Sequence, residues 1–197
     1  IFSPKGNNLR EKLKLNSNDF VIITSATWRR HKRLNELISL FYKLKKKISN
    51  LKLIILGQYN SEIKDPNIFL PGKIQHNKLP EWYRSANIYV QLSWIDQNPN
   101  TLVEGIACGL PSLCTNNGGT RELIEKTNSG IVSNADKNYE YQLVDYYNPP
   151  EPNYELLISD FMKIYNNFEK FKKNINTNPI DINSASVKYL NFFQKNT

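Results

Sequence analysis

The sequence is poor in cysteine and histidine and lacks any long apolar run. Its two cysteines, Cys108 and Cys114, both lie in apolar stretches, which favours two buried thiols over a disulfide. Its two histidines, His31 and His76, stand far apart, so no Cys/His cluster has the spacing of a metal site. No apolar run approaches the ~20 residues of a membrane-spanning helix, and no signal-peptide pattern opens the chain. These absences predict a protein that binds no metal and resides in a reducing cytoplasm.

Basic residues outnumber acidic ones by 26 to 18, which gives a formal net charge of +8. Part of the excess lies in residues 43–47, which read Lys-Leu-Lys-Lys-Lys. A solvated helix face is the favoured interpretation of this run, and contact with a polyanion or a membrane surface is the alternative. With 197 residues, of which 40% are hydrophobic and 22% charged, the chain has the size and composition of one globular domain.

Apolar runs alternate with amphipathic segments along most of the chain. Residues 20–24 form a continuous apolar, β-branched run, which is typical of a strand buried on both faces. Apolar residues then recur at spacings of three and four from Leu34 to Ile48, which predicts a helix. Similar patterns predict strands at 51–57, 68–72, 88–92, 111–115 and 130–132, and helices at 9–13, 78–86, 101–108, 119–124, 154–171 and 184–193. The fold class predicted is α/β, a Rossmann-like parallel sheet with helices on both faces.

The same patterns divide the chain into three parts. Residues 1–18 are predicted to be a linker with a short helix, residues 19–175 the α/β domain, and residues 176–197 a C-terminal helix. Ligands of open parallel sheets bind at the carboxyl ends of the strands. The segments that follow the predicted strands are therefore where functional side chains are expected.

The segment after the first strand, residues 27–33, carries three arginines, a lysine and a histidine. Cations are disfavoured at a helix N-terminus by the helix dipole, so this cluster calls for a compensating anion. Arginine and lysine are the side chains that bind phosphate. The sequence therefore favours a phosphate site here over a solvated helix start.

Two further strand-end segments carry polar residues with ligand chemistry. In residues 94–105, Asp96 and Glu104 bracket a polar loop and a helix start, whose free amides can hold a phosphate. Taken alone, Asp96 is equally compatible with a local turn, and Glu104 with a capping box that begins at Thr101. In residues 115–122, Gly118 and Gly119 permit either a tight turn or close approach of the backbone to a ligand.

Together these segments resemble the signature of family 4 glycosyltransferases. Asp96 and Glu104 are separated by seven residues, and Gly105-Ile-Ala-Cys-Gly-Leu-Pro111 follows, then Asn117-Gly-Gly-Thr-Arg-Glu122. The family pattern is roughly E-x7-E-A-x-A-x-G-x-P-V followed by G-G-x-x-E. The order of the preceding strand, the Arg and Lys, the Leu-Gly and the Pro-Gly also agrees, so that the resemblance covers about residues 1–135.

The resemblance implies the donor-binding, C-terminal half of a two-domain retaining glycosyltransferase of the GT-B fold. Arg29 and Lys32 would hold the diphosphate, Asp96 the sugar hydroxyls and Glu104 the ribose. The remaining expected nucleotide contacts are Asn100, Thr101, Leu102, Gly118 and Gly119, together with Gly72-Lys73-Ile74 beside the base, chiefly through backbone atoms. Neither a cofactor nor a metal is expected, since cations and helix amides offset the charge of the leaving diphosphate.

The sequence also departs from the family pattern. Asp96 replaces the usual glutamate, Gly105 replaces the usual alanine, and the compact Arg-to-Lys spacing makes Arg30 or Arg33 an alternative diphosphate ligand. Because the chain begins at what resembles the interdomain linker, the acceptor-binding N-terminal domain is expected to be missing, the final helix to pack against it, and the fragment alone to be inactive.

The partners expected are a nucleotide sugar, a sugar or glycolipid acceptor and the N-terminal domain, with no nucleic acid. Localisation at the inner face of a membrane, with peripheral association, stays open beside a cytoplasmic location. Two rival functions remain: a nucleotide-sugar epimerase of the same fold, and a non-catalytic module that binds polyanions. A dehydrogenase is disfavoured because no G-x-G-x-x-G follows a predicted strand.

Overall fold

The computed structural model describes residues 1–59, 63–138 and 145–195, with a six-stranded sheet at the centre. The strands are β1 (Phe20–Ser25), β2 (Leu51–Leu56), β3 (Ile68–Gly72), β4 (Ile88–Gln91), β5 (Ser112–Thr115) and β6 (Gly130–Ser133). The helices are α1 (Leu34–Lys45), α2 (Leu79–Tyr83), α3 (Asn100–Ala107), α4 (Thr120–Thr127), α5 (Tyr154–Asn166), α6 (Phe168–Asn174) and α7 (Ile182–Lys195).

All neighbouring strands pair in parallel, in the order β3-β2-β1-β4-β5-β6. The predicted Rossmann-like α/β class is thus confirmed. The direction of strand succession reverses between β1 and β4, and a sheet of this kind opens a crevice at that switch point. β1 pairs with β2 along its whole length, from Phe20 to Ser25, but with β4 only at Ile22 and Ile23.

Two apolar clusters cover the sheet. One packs α1 and α5 on the sheet through buried residues that include Leu37, Phe41 and Phe161. The other includes Leu102 and Ile106 of α3. Cys108 and Cys114 are both buried free thiols, as predicted, and burial raises the pKa of Cys108 to about 11.

Several helix boundaries differ from the predicted ones. Residues 9–13 make a single turn, in which the Leu13 amide donates to Leu9 O at 2.9 Å. The turn ends at Lys14, whose φ is 53°. The predicted helix at 78–86 shortens to α2. The one predicted at 154–171 divides at Asn167, whose φ of −122° interrupts the helical conformation. Helix α5 is capped by the Asn153 side chain, which accepts from the amides of Glu155 and Leu156.

The lysine run at 43–47 is only partly a solvated face. Lys45 donates to Ser49 O at 2.6 Å and to Leu51 O at 2.9 Å, and so closes the end of α1. Lys43 stands over the ring of Tyr154, 5.1 Å from its centroid.

At the other end of the chain, α7 exposes a series of apolar side chains: Ile182, Val187, Tyr189, Leu190, Phe192 and Phe193. Across the described ranges, no helix combines the length and apolarity that crossing a bilayer demands. Packing of α7 against another domain stays a prediction.

Candidate functional site

A cavity of about 350 Å³ opens where β1 and β4 diverge, at the switch point of the sheet. Two strand-end segments and one helix start line it. They are residues 24–29 with His31 and Lys32, residues 91–93 with Asp96, and residues 98–101 at the start of α3. The first two segments named in the sequence therefore converge on one cavity, because both follow strands that meet at this edge.

Of the cations after β1, only Arg29 and Lys32 line the cavity. Lys32 Nζ lies 2.6 Å from Asp96 Oδ2. Arg30 turns away and pairs with Glu36 at 2.5 Å. Within the described residues no acidic side chain lies within ion-pair distance of Arg29. The alternative in which Arg30 replaces one of the predicted pair is thereby weakened.

Arg33, the other alternative, cannot bind the diphosphate because its side chain is fully buried outside the cavity. Its guanidinium makes a two-pronged contact with Asp136, with N–O distances of 2.9 and 2.8 Å. It also donates to Pro150 O at 2.6 Å. Arg33 has a left-handed φ of 56° between the short 3₁₀ turn Arg30–Lys32 and α1. Its charge therefore fastens the start of α1 to the loop that contains Pro150.

His31 lies in the cavity wall with a lowered pKa. Partial burial lowers the pKa first, and then the charges of Lys32 and Arg29, while Asp96 opposes them. The folded chain thus binds fewer protons at His31 than the unfolded chain does, so this group favours folding above its ordinary pKa and loses that contribution as the pH falls. Binding of an anion in the cavity would reverse the repulsion that disfavours the imidazolium.

Asp96 is held by both its side chain and its backbone. Its Oδ2 accepts from Lys32 and also from Gln91 Nε2, at 2.9 Å. Its backbone forms a bridge with Gly118, and the Gly119 amide donates to Asp96 O at 2.9 Å. The carboxylate is therefore fixed in place before any ligand arrives.

Gly118 and Gly119 approach protein backbone closely, whereas the prediction placed them against a ligand. A Cβ on Gly118 would stand 2.3 Å from Asp96 O, and one on Gly119 would stand 2.3 Å from Gln97 O. Gly118 also has a φ of 96°, which a side chain disfavours. Neither glycine lines the cavity. Their place in the structure is beneath the loop that presents Asp96.

The start of α3 excludes the capping-box interpretation of Glu104. The helix begins at Asn100 with Pro99 as its cap residue, and no side chain among the described residues caps it. The Leu102 amide, one of the predicted phosphate contacts, already donates to Pro99 O at 3.0 Å, and the Leu102 side chain is buried. Asn100 and Thr101 do line the cavity. Of the three residues predicted to contact the phosphate at the helix start, these two line the cavity and Leu102 does not.

Glu104 faces a different group from the one that capping requires. Its Oε2 accepts from Tyr83 Oη at 2.9 Å, and its Oε1 lies 3.6 Å from His76 Nε2. Partial burial raises the pKa of Glu104, and the bonds from Tyr83 and His76 oppose that shift. Glu104 lies one helical turn beyond Asn100, outside the lining of the cavity. Ile74 lies on the same side of the sheet and packs against the apolar cluster that contains Tyr83.

Sequence reasoning missed two of these residues. The bond of Tyr83 to Glu104 was not predicted, because nothing in the local sequence distinguishes Tyr83 from an aromatic residue of the core. Gln91 gave a weak one, since it is the polar residue at the end of an otherwise apolar strand. The described part of the chain has no group of three or more His, Cys, Asp or Glu side chains placed to hold a metal ion. The absence of a metal requirement stays a prediction.

The chain belongs to the glycosyl transferases group 1 family. The model of that family matches residues 6–143, which is well over half of the sequence. The match includes every residue of the cavity described above.

Two curated proteins are similar in sequence. The chain is 22% identical over 199 aligned positions to the alpha-monoglucosyldiacylglycerol synthase of Acholeplasma laidlawii, which covers 93% of the chain and 49% of that protein. It is 33% identical over 70 residues to protein CapJ of Staphylococcus aureus, which covers 35% of the chain and 17% of CapJ. The chain thus spans about half the length of the first relative.

Solved glycosyltransferases share the fold. The pneumococcal O-GlcNAc transferase GtfA, solved with UDP and GlcNAc, aligns with a TM-score of 0.64 at 18% identity over 88% of this chain and 33% of that one. WaaG, from lipopolysaccharide biosynthesis, aligns with a TM-score of 0.63 at 18% identity over 84% and 44%. The C-terminal domain of the group 1 protein LpcC from Francisella tularensis aligns with a TM-score of 0.62 at 18% identity over 96% of each chain. At these identities the likeness establishes the fold, that of a GT-B glycosyltransferase domain.

Proposed function

We propose that this chain is the donor-binding domain of a retaining glycosyltransferase that transfers a sugar from a nucleoside-diphosphate donor to a sugar or glycolipid acceptor. The observation that carries the proposal is the cavity at the switch point. Arg29, which has no ion-pair partner among the described residues, lines it together with the Lys32–Asp96 pair. A nucleotide sugar carries a diphosphate for the cations and hydroxyls for the carboxylate. Both of its halves thus find chemical partners within one cavity.

The residues would act mainly on the leaving group. As the glycosidic bond to the diphosphate breaks, negative charge develops on the departing phosphate, and fixed cations nearby lower the barrier. Arg29 offers a planar fork of donors and Lys32 a compact point charge. Asn100 and Thr101, at the positive end of α3, add polar donors on the same wall. Asp96 would orient the sugar by accepting from its hydroxyls.

Glu104 and Ile74 would hold the nucleoside end. Glu104 is a partly buried carboxylate, and among the described ion pairs the partner of its Oε1 is His76 at 3.6 Å. That geometry leaves an acceptor for the ribose hydroxyls. Backbone near Ile74 would lie beside the base. Such a donor site needs no metal and no cofactor.

Retention of configuration and a second, acceptor-binding domain are part of the proposal. Both rest on the resemblance of the segment from Asp96 to Glu104 to family 4 enzymes. Support for the C-terminal position comes from the LpcC domain, which the chain covers almost completely. A lipid-linked acceptor at a membrane surface is likewise part of the proposal, and its support is that the Acholeplasma laidlawii relative is a synthase of a glucosylated diacylglycerol. Transfer should then need both domains closed around donor and acceptor.

A thermal-shift panel of UDP-, GDP- and ADP-sugars tests the proposal directly. We expect one nucleotide class to stabilise the chain, by about 2.7 kcal/mol at 100 times its dissociation constant. Heparin and single-stranded DNA serve as the polyanion controls. Stabilisation by these polymers alone, lost in higher salt, would favour the polyanion-binding alternative. Conversion of a UDP-sugar into its epimer would favour the epimerase.

We expect Glu104→Gln to weaken nucleotide binding by about 1.5–3 kcal/mol, the scale of a hydrogen bond to a charged group. The amide keeps the size of the side chain and can still accept from Tyr83, so the fold should survive. Titration calorimetry with the nucleotide from the panel measures the loss. Glu125→Gln, on the exposed face of α4, is the matched control. Unchanged affinity in Glu104→Gln would restrict Glu104 to its bond with Tyr83.

A further inference from the structure

Gln91 occupies a position that an apolar residue would fill at lower cost. It is the last residue of β4, after Ile88, Tyr89 and Val90, and it lines the cavity at the switch point. Only 6% of its surface is exposed. Burying a carboxamide is unfavourable unless both of its ends are hydrogen-bonded.

Within the described part of the chain, one end of this carboxamide is bonded and the other is not. Gln91 Nε2 donates to Asp96 Oδ2 at 2.9 Å. A carboxylate oxygen in an ion pair with Lys32 can only accept, which fixes the nitrogen of the amide toward Asp96 and the oxygen away from it. Gln91 Oε1 is buried and finds no hydrogen-bond partner among the described residues. A buried acceptor left in this state destabilises the folded chain, because its bond to water is lost and not replaced.

Gln91 lines the cavity together with Lys32 and Asp96. Lys32 and Gln91 both donate to the same oxygen of Asp96, Oδ2, so neither of these bonds occupies Oδ1. The wall therefore places the acceptor of Gln91 next to the carboxylate of Asp96. Two neighbouring acceptors are matched by hydroxyl donors, whereas a carboxylate on the ligand would be repelled by Asp96.

We propose that Gln91 is a specificity-determining residue for the donor sugar, in which Oε1 accepts a hydrogen bond from one sugar hydroxyl beside the hydroxyl that Asp96 holds. This inference rests on the proposed function and deepens it. The sugar it selects is a neutral one with free hydroxyls at both contacts. Donors that are deoxygenated, O-alkylated or carboxylated there leave Oε1 buried and unpaired, and are rejected for that reason.

A purely structural role makes a different prediction. If Gln91 only orients Asp96, its removal should harm every donor to the same degree, whatever hydroxyls the sugar carries. If Gln91 Oε1 meets a hydroxyl, the loss should disappear with the one analogue that lacks this hydroxyl. The two roles are therefore separable by a double-mutant cycle between the side chain and the ligand.

The experiment is titration calorimetry of the whole chain and of Gln91→Leu with UDP, UDP-glucose and the 2-, 3-, 4- and 6-deoxy forms of UDP-glucose. If the nucleotide panel selects guanine, GDP and GDP-mannose with its deoxy forms replace them. We expect Gln91→Leu to weaken the nucleotide sugar about 3- to 10-fold, the scale of one neutral hydrogen bond, and the bare diphosphate hardly at all. Against one deoxy analogue the variant should bind as well as the unaltered chain does.

Unfolding by urea accompanies the titrations. Because the substitution removes a buried unpaired acceptor, Gln91→Leu should not lower the midpoint. Gln91→Met, which is unbranched and of similar length, replaces it if the leucine variant does not fold. Gln97→Leu, in an exposed position outside the cavity, is the matched control and should leave all affinities unchanged.

Three results overturn the inference while the proposed function stands: equal loss for UDP and UDP-glucose, equal loss for every deoxy analogue, or no loss for any. Failure of the unaltered chain to bind any nucleotide or nucleotide sugar overturns the proposed function and this inference with it.

Discussion

Replacing Arg29 and Lys32 together by alanine is expected to weaken a nucleoside diphosphate about 10²- to 10⁴-fold. Each charge-assisted hydrogen bond contributes about 1.5–3 kcal/mol, and about 1.4 kcal/mol corresponds to a factor of ten. Both side chains line the cavity at the switch point, where a diphosphate would meet them together. Titration calorimetry with the diphosphate and with the corresponding nucleoside, at two salt concentrations, measures the effect. The nucleoside should bind almost equally well in both proteins.

The controls follow from the pairing of each cation. Arg30→Ala removes a neighbouring charge that is bound to Glu36 and should change affinity little. Lys32 also holds Asp96, so Asp96→Asn is measured separately to distinguish loss of the cation from release of the carboxylate. Should the double variant lose the same affinity for nucleoside and diphosphate, or none, Arg29 and Lys32 do not bind the diphosphate. Arg30 would then be the candidate, because Arg33 is buried against Asp136.

The largest effect on stability is expected from Asp136→Ala, at about 3–5 kcal/mol of the free energy of unfolding. The side chains of Arg33 and Asp136 are 0% and 1% exposed, so the substitution leaves a buried guanidinium without its counter-charge. The contacts of Arg33 to Pro150 O and Leu92 O would remain but cannot neutralise it. Urea denaturation followed by circular dichroism gives the free energy difference.

Glu125→Ala, which breaks an exposed ion pair with Arg121, is the control and should cost well under 1 kcal/mol by comparison with surface pairs generally, about 0–1 kcal/mol. The double replacement Arg33→Met with Asp136→Leu should recover part of the stability, since a buried pair can be exchanged for apolar packing. A loss of less than about 1 kcal/mol in Asp136→Ala would contradict this account of the pair, given that scale for exposed ones.

The centre of the sheet was predictable from local pattern because β1, β2 and β4 are short, mainly apolar runs that are almost wholly buried. The runs at 20–24 and 51–57 mark β1 and β2 to within a residue. Helix ends were less predictable because tertiary contacts decide them. The break at Asn167 between α5 and α6 has no proline or glycine to announce it. The turn at residues 9–13 is too short to be told from a helix by spacing alone.

The site was predictable where it depends on strand ends and not where it depends on distant partners. Arg29, Lys32 and Asp96 meet because each follows a strand at the same edge of the sheet. Nothing in the local sequence shows that Arg33 pairs with Asp136, more than a hundred residues away. Nor does it show that Glu104 of α3 accepts a hydrogen bond from Tyr83 of α2. The pair Gly118 and Gly119 predicts that another group comes close to the backbone there. The sequence alone does not show whether that group is protein backbone or a ligand. The sequence pattern therefore predicts at which edge of the sheet a ligand binds, whereas the tertiary contacts determine what each residue there can do.

The short pairing between β1 and β4 bears on how the site comes into being. β1 pairs with β2 to its last residue, whereas its pairing with β4 ends at Ile23 and Tyr89. Beyond that point β1 and β4 diverge. The cavity is the gap between the ends of these two strands. β1 is already held by its pairing with β2, and β4 by its pairing with β5. Its width is thus set when the sheet forms. Ordering these walls is part of the cost of folding and need not be met again at each binding event, which leaves more of the contact energy for affinity.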